Sequence, residues 1–111
     1  MGQHTQLELL PGTLDLLILR ALVRGKMHGY GIAHMLKVTS EDVLDVGESS
    51  LYPALQRLLL NGWVSAEWGA SENNRRARYY TITAAGRKHL AVEGAEFERL
   101  LGAMARVMSQ G

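Results

Sequence analysis

The sequence predicts a mainly α fold with a small β-hairpin, an α+β architecture of three short helices, a hairpin and one long C-terminal helix. Three observations predict it. Apolar residues recur at helical spacing over residues 14–24, 30–39 and 48–62. Two β-favouring runs, 63–68 and 78–83, flank the polar loop GASENNRRA. A last stretch, from 84 to about 109, carries Leu90, Phe97, Leu101, Met104 and Met108 close to heptad spacing, with Gly94 as its weak position.

Residues 1–10 form a polar lead-in with three leucines, either a strand or a short helix. Thr13 follows Pro11 and Gly12 as the expected N-cap of the first helix, and Asp15 in the first turn suits the helix dipole. From 14 to 24 nearly every residue is apolar, which predicts a central helix buried on several sides, by its own domain and by a partner chain. Gly25 ends it. Residues 26–31 read as a turn-rich connection. The second helix, 30–39, places Ile32, Met35, Leu36 and Thr39 on one face. In the loop 40–47, Val43, Leu44 and Val46 tether the chain to the core through a very short strand.

The third helix has two contrasting faces. Leu51, Leu55, Leu58 and Leu59 form the apolar side. Ser50 is the expected N-cap, Pro53 the third helical residue, and Gly62 the left-handed residue that closes the helix. Ser49, Tyr52, Gln56 and Arg57 lie opposite. Their hydroxyls, amide and guanidinium can bond base edges or phosphates in a major groove; in isolation, a solvated helix face explains them as well.

In the hairpin, Val64, Ala66 and Trp68 share one face and Ser65 and Glu67 the other. Tyr79 and Tyr80 alternate, with Tyr80 inward in step with Ile82. Thr83 caps the long helix. The order is helix, helix, helix, hairpin, helix, so the second and third helices stand as a helix-turn-helix and the hairpin as its wing. Arg75, Arg76 and Arg78 lie at the tip beside Asn73 and Asn74, with Arg87 and Lys88 following and no acid from 73 to 88. Such a tip can bridge phosphates or enter a minor groove. The acids Glu41, Asp42, Asp45 and Glu48 precede the third helix and would repel phosphates; Glu48 stabilises that helix's N-terminus instead.

Composition bounds the rest. The chain has 111 residues, 47% of them hydrophobic, which suits one globular domain. Net charge is +1, so any affinity for nucleic acid comes from local clusters of charge. With no cysteine there is no disulfide, thiolate metal site or cysteine nucleophile. No apolar run can span a bilayer and no basic start marks a signal peptide, so no membrane partner is expected and the protein is placed in the cytoplasm. His4, His28, His34 and His89 show no metal-ligand spacing, and no nucleophile elbow, P-loop or dinucleotide fingerprint occurs. An enzyme, a cofactor and a metal site are therefore not expected.

Four segments carry a resemblance: LPGTLDLLILRAL (10–22), MHGYGIAHML (27–36), SSLYPALQRLLLNGWV (49–64) and RRARYYTITAAGRKHL (75–90). Together they resemble the PadR family of bacterial transcriptional regulators, in the short form with a single C-terminal helix. The linked set HGYGI, LYPAL-x-RL and R-x-YY carries the specificity; winged helices at large share only the last piece. The resemblance implies a winged helix-turn-helix homodimer, usually a repressor. It implies duplex contacts from Ser49, Ser50, Tyr52, Pro53 and either Gln56 or Arg57 of the third helix, with Tyr30 and Gly31 near the backbone and Asn74, Arg75, Arg76 and Arg78 in the wing. Dimerisation in the family uses the last helix, often with the partner's first, which here implies Leu14, Leu17, Leu90, Phe97, Leu101, Met104 and Met108. Residues 1–83 are then the reading unit and 84–111 the dimerisation helix. Some short members bind flat aromatic compounds at the dimer interface through a tryptophan on the last helix. Here Phe97 is that helix's only aromatic residue, a departure from the pattern that leaves a small-molecule effector unidentified.

The function expected is a sequence-specific DNA-binding regulator, a homodimeric repressor on a pseudo-palindromic duplex operator, released by a small-molecule or stress signal. The alternative is a winged-helix protein–protein module that reads no DNA; it would not need three arginines at one tip.

Overall fold

The computed structural model describes residues 9–110. Helix α1 spans Pro11–Leu22, strand β1 Met27–His28, α2 Gly29–Thr39, α3 Glu48–Leu60, β2 Val64–Ala70, β3 Arg76–Ile82 and α4 Ala84–Met108. The expectation of a strand or helix over 1–10 lies outside the described residues except for Leu9 and Leu10, which take no regular structure.

Helix α1 starts earlier than expected. Leu10 is its N-cap, without a side-chain hydrogen bond, and proline stands in the first turn, where a residue lacking an N–H costs no helical bond. Thr13 is therefore inside the helix and caps nothing. Asp15 lies beyond the first turn and is 7% exposed, so it does not serve the helix dipole. Leu14, Ile18, Leu19 and Leu22 of this helix enter the core with Ile32, Leu51, Leu55, Leu58, Val64, Tyr80 and Ile82. The apolar first helix is thus central, as its composition predicts.

The connection 26–31 is more ordered than its turn-rich composition suggests. Met27 and His28 pair with Tyr80 and Tyr79, so the hairpin is part of a three-stranded antiparallel sheet ordered β1-β3-β2. His28 then caps α2, its Nδ1 accepting from the Gly31 N–H at 3.0 Å. Helix α2 ends in Ser40, with Glu41 N–H donating to Val38 and Asp42 N–H to Lys37. This is the paired closure in which the residue after the cap turns left-handed, here Glu41 at φ 56° and Asp42 at φ 69° rather than glycine. No strand forms over 40–47.

Helix α3 also begins upstream of expectation. Gly47 is its N-cap and Glu48 its first acidic residue, so Ser50 is not the cap and Pro53 sits inside the helix instead of at its third position. Having no N–H, Pro53 leaves the Ser49 carbonyl without its usual helical donor. Gly62, at φ 74°, closes α3 as predicted: its N–H reaches Leu59 and the Trp63 N–H reaches Leu58.

The strands run two residues further toward the tip on both sides than their alternation indicates. Ser71 N–H bonds the Arg75 carbonyl and Asn74, left-handed at φ 57°, turns the chain, a conformation asparagine tolerates. Tyr80 is 5% exposed and inward; Tyr79 donates its hydroxyl to the Ala70 carbonyl. Thr83 caps α4, accepting from Gly86 N–H at 3.0 Å, and donates to the Gly62 carbonyl at 2.7 Å. The 25 residues of α4 make a rod about 37 Å long. Between α1 and α4 runs a groove of about 650 Å³ lined by Leu17, Val23, Leu90 and Phe97 among others.

Candidate nucleic-acid interface

One face of α3 is open. Ser49, Ser50, Tyr52, Pro53 and Gln56 are all exposed, while Leu51, Ala54, Leu55 and Leu58 on the opposite face are buried. This division follows the helical spacing of the leucines and leaves hydroxyl, phenol and amide groups outward at successive turns. Leu60, 77% exposed, continues the same face at its C-terminal end; the sequence reading passed over it because it adjoins the apolar run.

Arg57 does not join that face. Its Nη2 donates to Asp15 Oδ1 at 2.9 Å and its Nε to Oδ2 at 3.3 Å. Two of its donors are thus engaged on a carboxylate of α1, inside the protomer, and the side chain is 38% exposed. Of Gln56 and Arg57, the first is exposed on the open face and the second is half-buried.

A cleft of about 620 Å³ lies beside α3, with His28, Tyr30, Tyr52 and Trp68 on its walls and Arg75, Arg76 and Arg78 at its rim. Tyr30, 76% exposed, projects from the first turn of α2 and stacks near-parallel on His34. Tyr52 leans on the N-terminus of α2 so closely that a side chain at Gly29 would meet its hydroxyl at 3.1 Å. Gly31 gives its N–H to His28, so its part is in building the helix start. Arg75, Arg76, Arg78 and Asn74 are exposed on the wing, and among the described residues no carboxylate lies within 4.0 Å of the three arginines. Along this cleft three guanidinium groups outnumber one carboxylate, Glu72, and make a local positive field that the +1 net charge conceals.

The acids before α3 are partly neutralised: Asp45 lies 4.0 Å from Lys37, and Glu48 stands in the first turn of α3 where the helix dipole favours it. Arg87 turns to the α1–α4 groove instead of the wing.

Of the residues implied in dimerisation, Leu17 lines that groove from α1 and Leu90, Phe97 and Leu101 line it from α4, and Met104 and Met108 are 52% and 82% exposed further along α4. Leu14 is excluded: at 4% exposed it is part of the protomer's own core. His28, Trp68 and Asp15 were missed as elements of the site. A histidine is an uncommon helix cap, and the Asp15–Arg57 pair spans 42 residues of sequence, beyond any local pattern.

Three helices, a helix-turn-helix pair and a basic hairpin wing define the winged helix-turn-helix class of regulator. Residues 18–92 match the transcriptional regulator PadR-like family, and the chain belongs to it. A transcriptional regulator of Clostridium thermocellum is 29% identical, with a TM-score of 0.76 over 86% of this chain and 92% of that one. A PadR family transcriptional regulator of Eggerthella lenta is 25% identical, with a TM-score of 0.72 over 90% of this chain and 85% of the other. An uncharacterized protein of Lysinibacillus sphaericus is 27% identical over 84 residues, covering 76% of this chain and 77% of that protein. Among the described residues no helix is long and apolar enough to cross a membrane.

Proposed function

We propose that this transcriptional regulator is a homodimeric repressor that reads a pseudo-palindromic operator and is released by a small-molecule or stress signal. Two copies of α3 enter successive major grooves, about 34 Å apart on the duplex. Ser49, Ser50, Tyr52, Pro53 and Gln56 approach base edges and the adjoining backbone; Tyr30 and the N-terminus of α2 approach a phosphate; Asn74, Arg75, Arg76 and Arg78 grip the backbone from the wing. The observation that carries this reading is an open polar α3 face beside a cleft that its Tyr52 shares with three wing arginines, none of them ion-paired among the described residues. An exposed α4 whose apolar residues run past the protomer's own core supports pairing through residues 84–111. Pairing there would join α4 to the α1–α4 groove of a second chain, so a ligand entering that groove would shift the spacing of the two reading heads.

The test is binding of the purified protein to the duplex upstream of its own gene across a salt titration. Tight binding that weakens steeply with salt, and is lost on alanine substitution of Arg75, Arg76 and Arg78 together, supports the reading. Binding no better than to a random duplex, at that promoter and in a genome-wide selection of bound fragments, would favour a winged helix used for protein contact.

A further inference from the structure

Trp68 is 58% exposed although it alternates in step with buried Val64 and half-buried Ala66. The strand has outrun the core by the time it reaches Trp68. What covers the indole is a cation: the Arg76 guanidinium carbon lies 4.8 Å over the ring. The register explains the contact. Trp68 is opposite Arg78 and Ala70 opposite Arg76, so Trp68 and Arg76 are diagonal neighbours on one face of the hairpin. That face lines the cleft shared with Tyr52 and Tyr30. Arg78 repeats the arrangement more loosely, 6.0 Å over the Tyr80 ring.

The chemistry of this contact differs from that of an ion pair. A cation held over an indole is attracted by the ring's quadrupole and makes no hydrogen bond to it, so the guanidinium N–H donors stay free. Arg57 shows the opposite case, with two of its donors spent on Asp15. An arginine already held over a ring has less rotamer freedom to lose when its N–H groups meet an oxyanion. An indole left more than half in water serves the core poorly, and holding Arg76 accounts for its place at the mouth of the cleft.

We propose that Trp68 is the positioning residue of the wing: it holds Arg76 over its ring so that the guanidinium N–H groups meet a backbone phosphate of duplex DNA. This rests on the duplex reading given above. The contact contributes one phosphate to the ionic footprint, about 0.9 in the slope of log affinity against log salt.

The experiment compares the wild type with Trp68→Leu, Trp68→Phe, Arg76→Ala and the Trp68→Leu/Arg76→Ala double variant, each checked for an unchanged fold by circular dichroism. Trp68→Leu and Arg76→Ala should each lower the salt slope by about 0.9, and the double variant should lower it no further. Trp68→Phe, which keeps an aromatic face, should restore most of the slope. A tryptophan that only stiffens the hairpin would lower the melting temperature on replacement and leave the slope as it was, and that result overturns the proposal. Additive losses in the double variant overturn it too. Nuclear magnetic resonance of the free protein gives an arm independent of DNA: Arg76 δ-methylene protons should be shifted upfield by the indole and return in Trp68→Leu, and their absence of shift in the wild type sinks the pairing itself. Wild-type protein that binds no duplex brings down the duplex reading and this inference with it, whereas wild-type binding with an unchanged Trp68→Leu slope brings down this inference alone.

Discussion

The guanidinium of Arg57 closes on both carboxylate oxygens of Asp15, 2.9 and 3.3 Å away, tying the helix that carries the open reading face to the central helix α1. Asp15 is 7% exposed, so removal of its partner leaves a charge almost without water. Arg57→Ala should cost about 2–4 kcal/mol of folding stability, measured as a lower urea midpoint. Replacing both residues with apolar ones of similar size should recover much of that loss, because neither charge is then stranded. Equal losses in the single and double variants would show that the pair is incidental.

Gly86 sits where the start of α4 crosses the corner after α3. A Cβ there would overlap the Trp63 carbonyl oxygen and fall 2.9 Å from Ile82 Cγ1. Backbone must move to admit it, so Gly86→Ala should destabilise the fold by roughly 3 kcal/mol. Gly94 supplies the control on the same helix. Its added Cβ meets only Leu90 at 3.7 Å, so Gly94→Ala should raise stability by up to about 1 kcal/mol through helix propensity. Thermal melts of the two variants should move in opposite directions.

The imidazole of His28 does the work usually given to serine or aspartate, accepting from Gly31 N–H at the start of α2. His28→Ala should cost about 1 kcal/mol, and His28→Asn, whose side-chain oxygen can take the same bond, should restore most of it. The ring also lies 5.4 Å from that of Tyr79 across β1 and β3. Any deficit left in the asparagine variant therefore measures that packing.

At the close of α2, Glu41 takes the left-handed conformation that glycine fills after α3. Its side chain is exposed and has no hydrogen-bond or ion-pair partner among the described residues. Glu41→Gly should stabilise the fold by about 0.5–1 kcal/mol by relieving backbone strain. A loss of stability in urea unfolding would mean that the acid has a partner in solution, or that unfolded-chain entropy outweighs the strain.

How far the sequence reveals this molecule depends on the range over which each pattern acts. Helical and two-residue periods are local, so all four helices, the hairpin and the inward turn of Tyr80 were legible, as was Gly62. Helix starts were misread at Thr13 and Ser50 because a hydroxyl suits a cap wherever it stands, whereas Pro11 and Glu48 already satisfy a first turn without one. Strand β1, with two residues, is too short to alternate at all. Trp68 follows the right phase, but a period cannot say where the core beneath it ends. Arg57 looks free until the fold brings Asp15 across. The open face of α3 and the wing arginines were named by position, and the structure adds the cleft that Tyr52 of that face shares with the arginines.

The last prediction separates folding from pairing on α4 and α1. Leu101 and Met104 are 47% and 52% exposed on the apolar stripe of α4, where they give little to the protomer. A glutamate at each would place two charges in the middle of a helix–helix seam, where an unpaired charge is costly. Leu101→Glu/Met104→Glu should therefore keep the melting behaviour of an isolated protomer and its far-ultraviolet circular dichroism. Its self-association should fall at least about 100-fold, equivalent to about 2.7 kcal/mol, as read by sedimentation equilibrium. Leu14 makes the opposite case. It is 4% exposed in the core with Ile18 and Leu55, and Leu14→Ala should lower folding stability by about 2–4 kcal/mol with no separate effect on association among the folded molecules. A double-glutamate variant that still sediments as a dimer would place the pairing surface elsewhere. The groove between α1 and α4 would then be open to a ligand in the single chain.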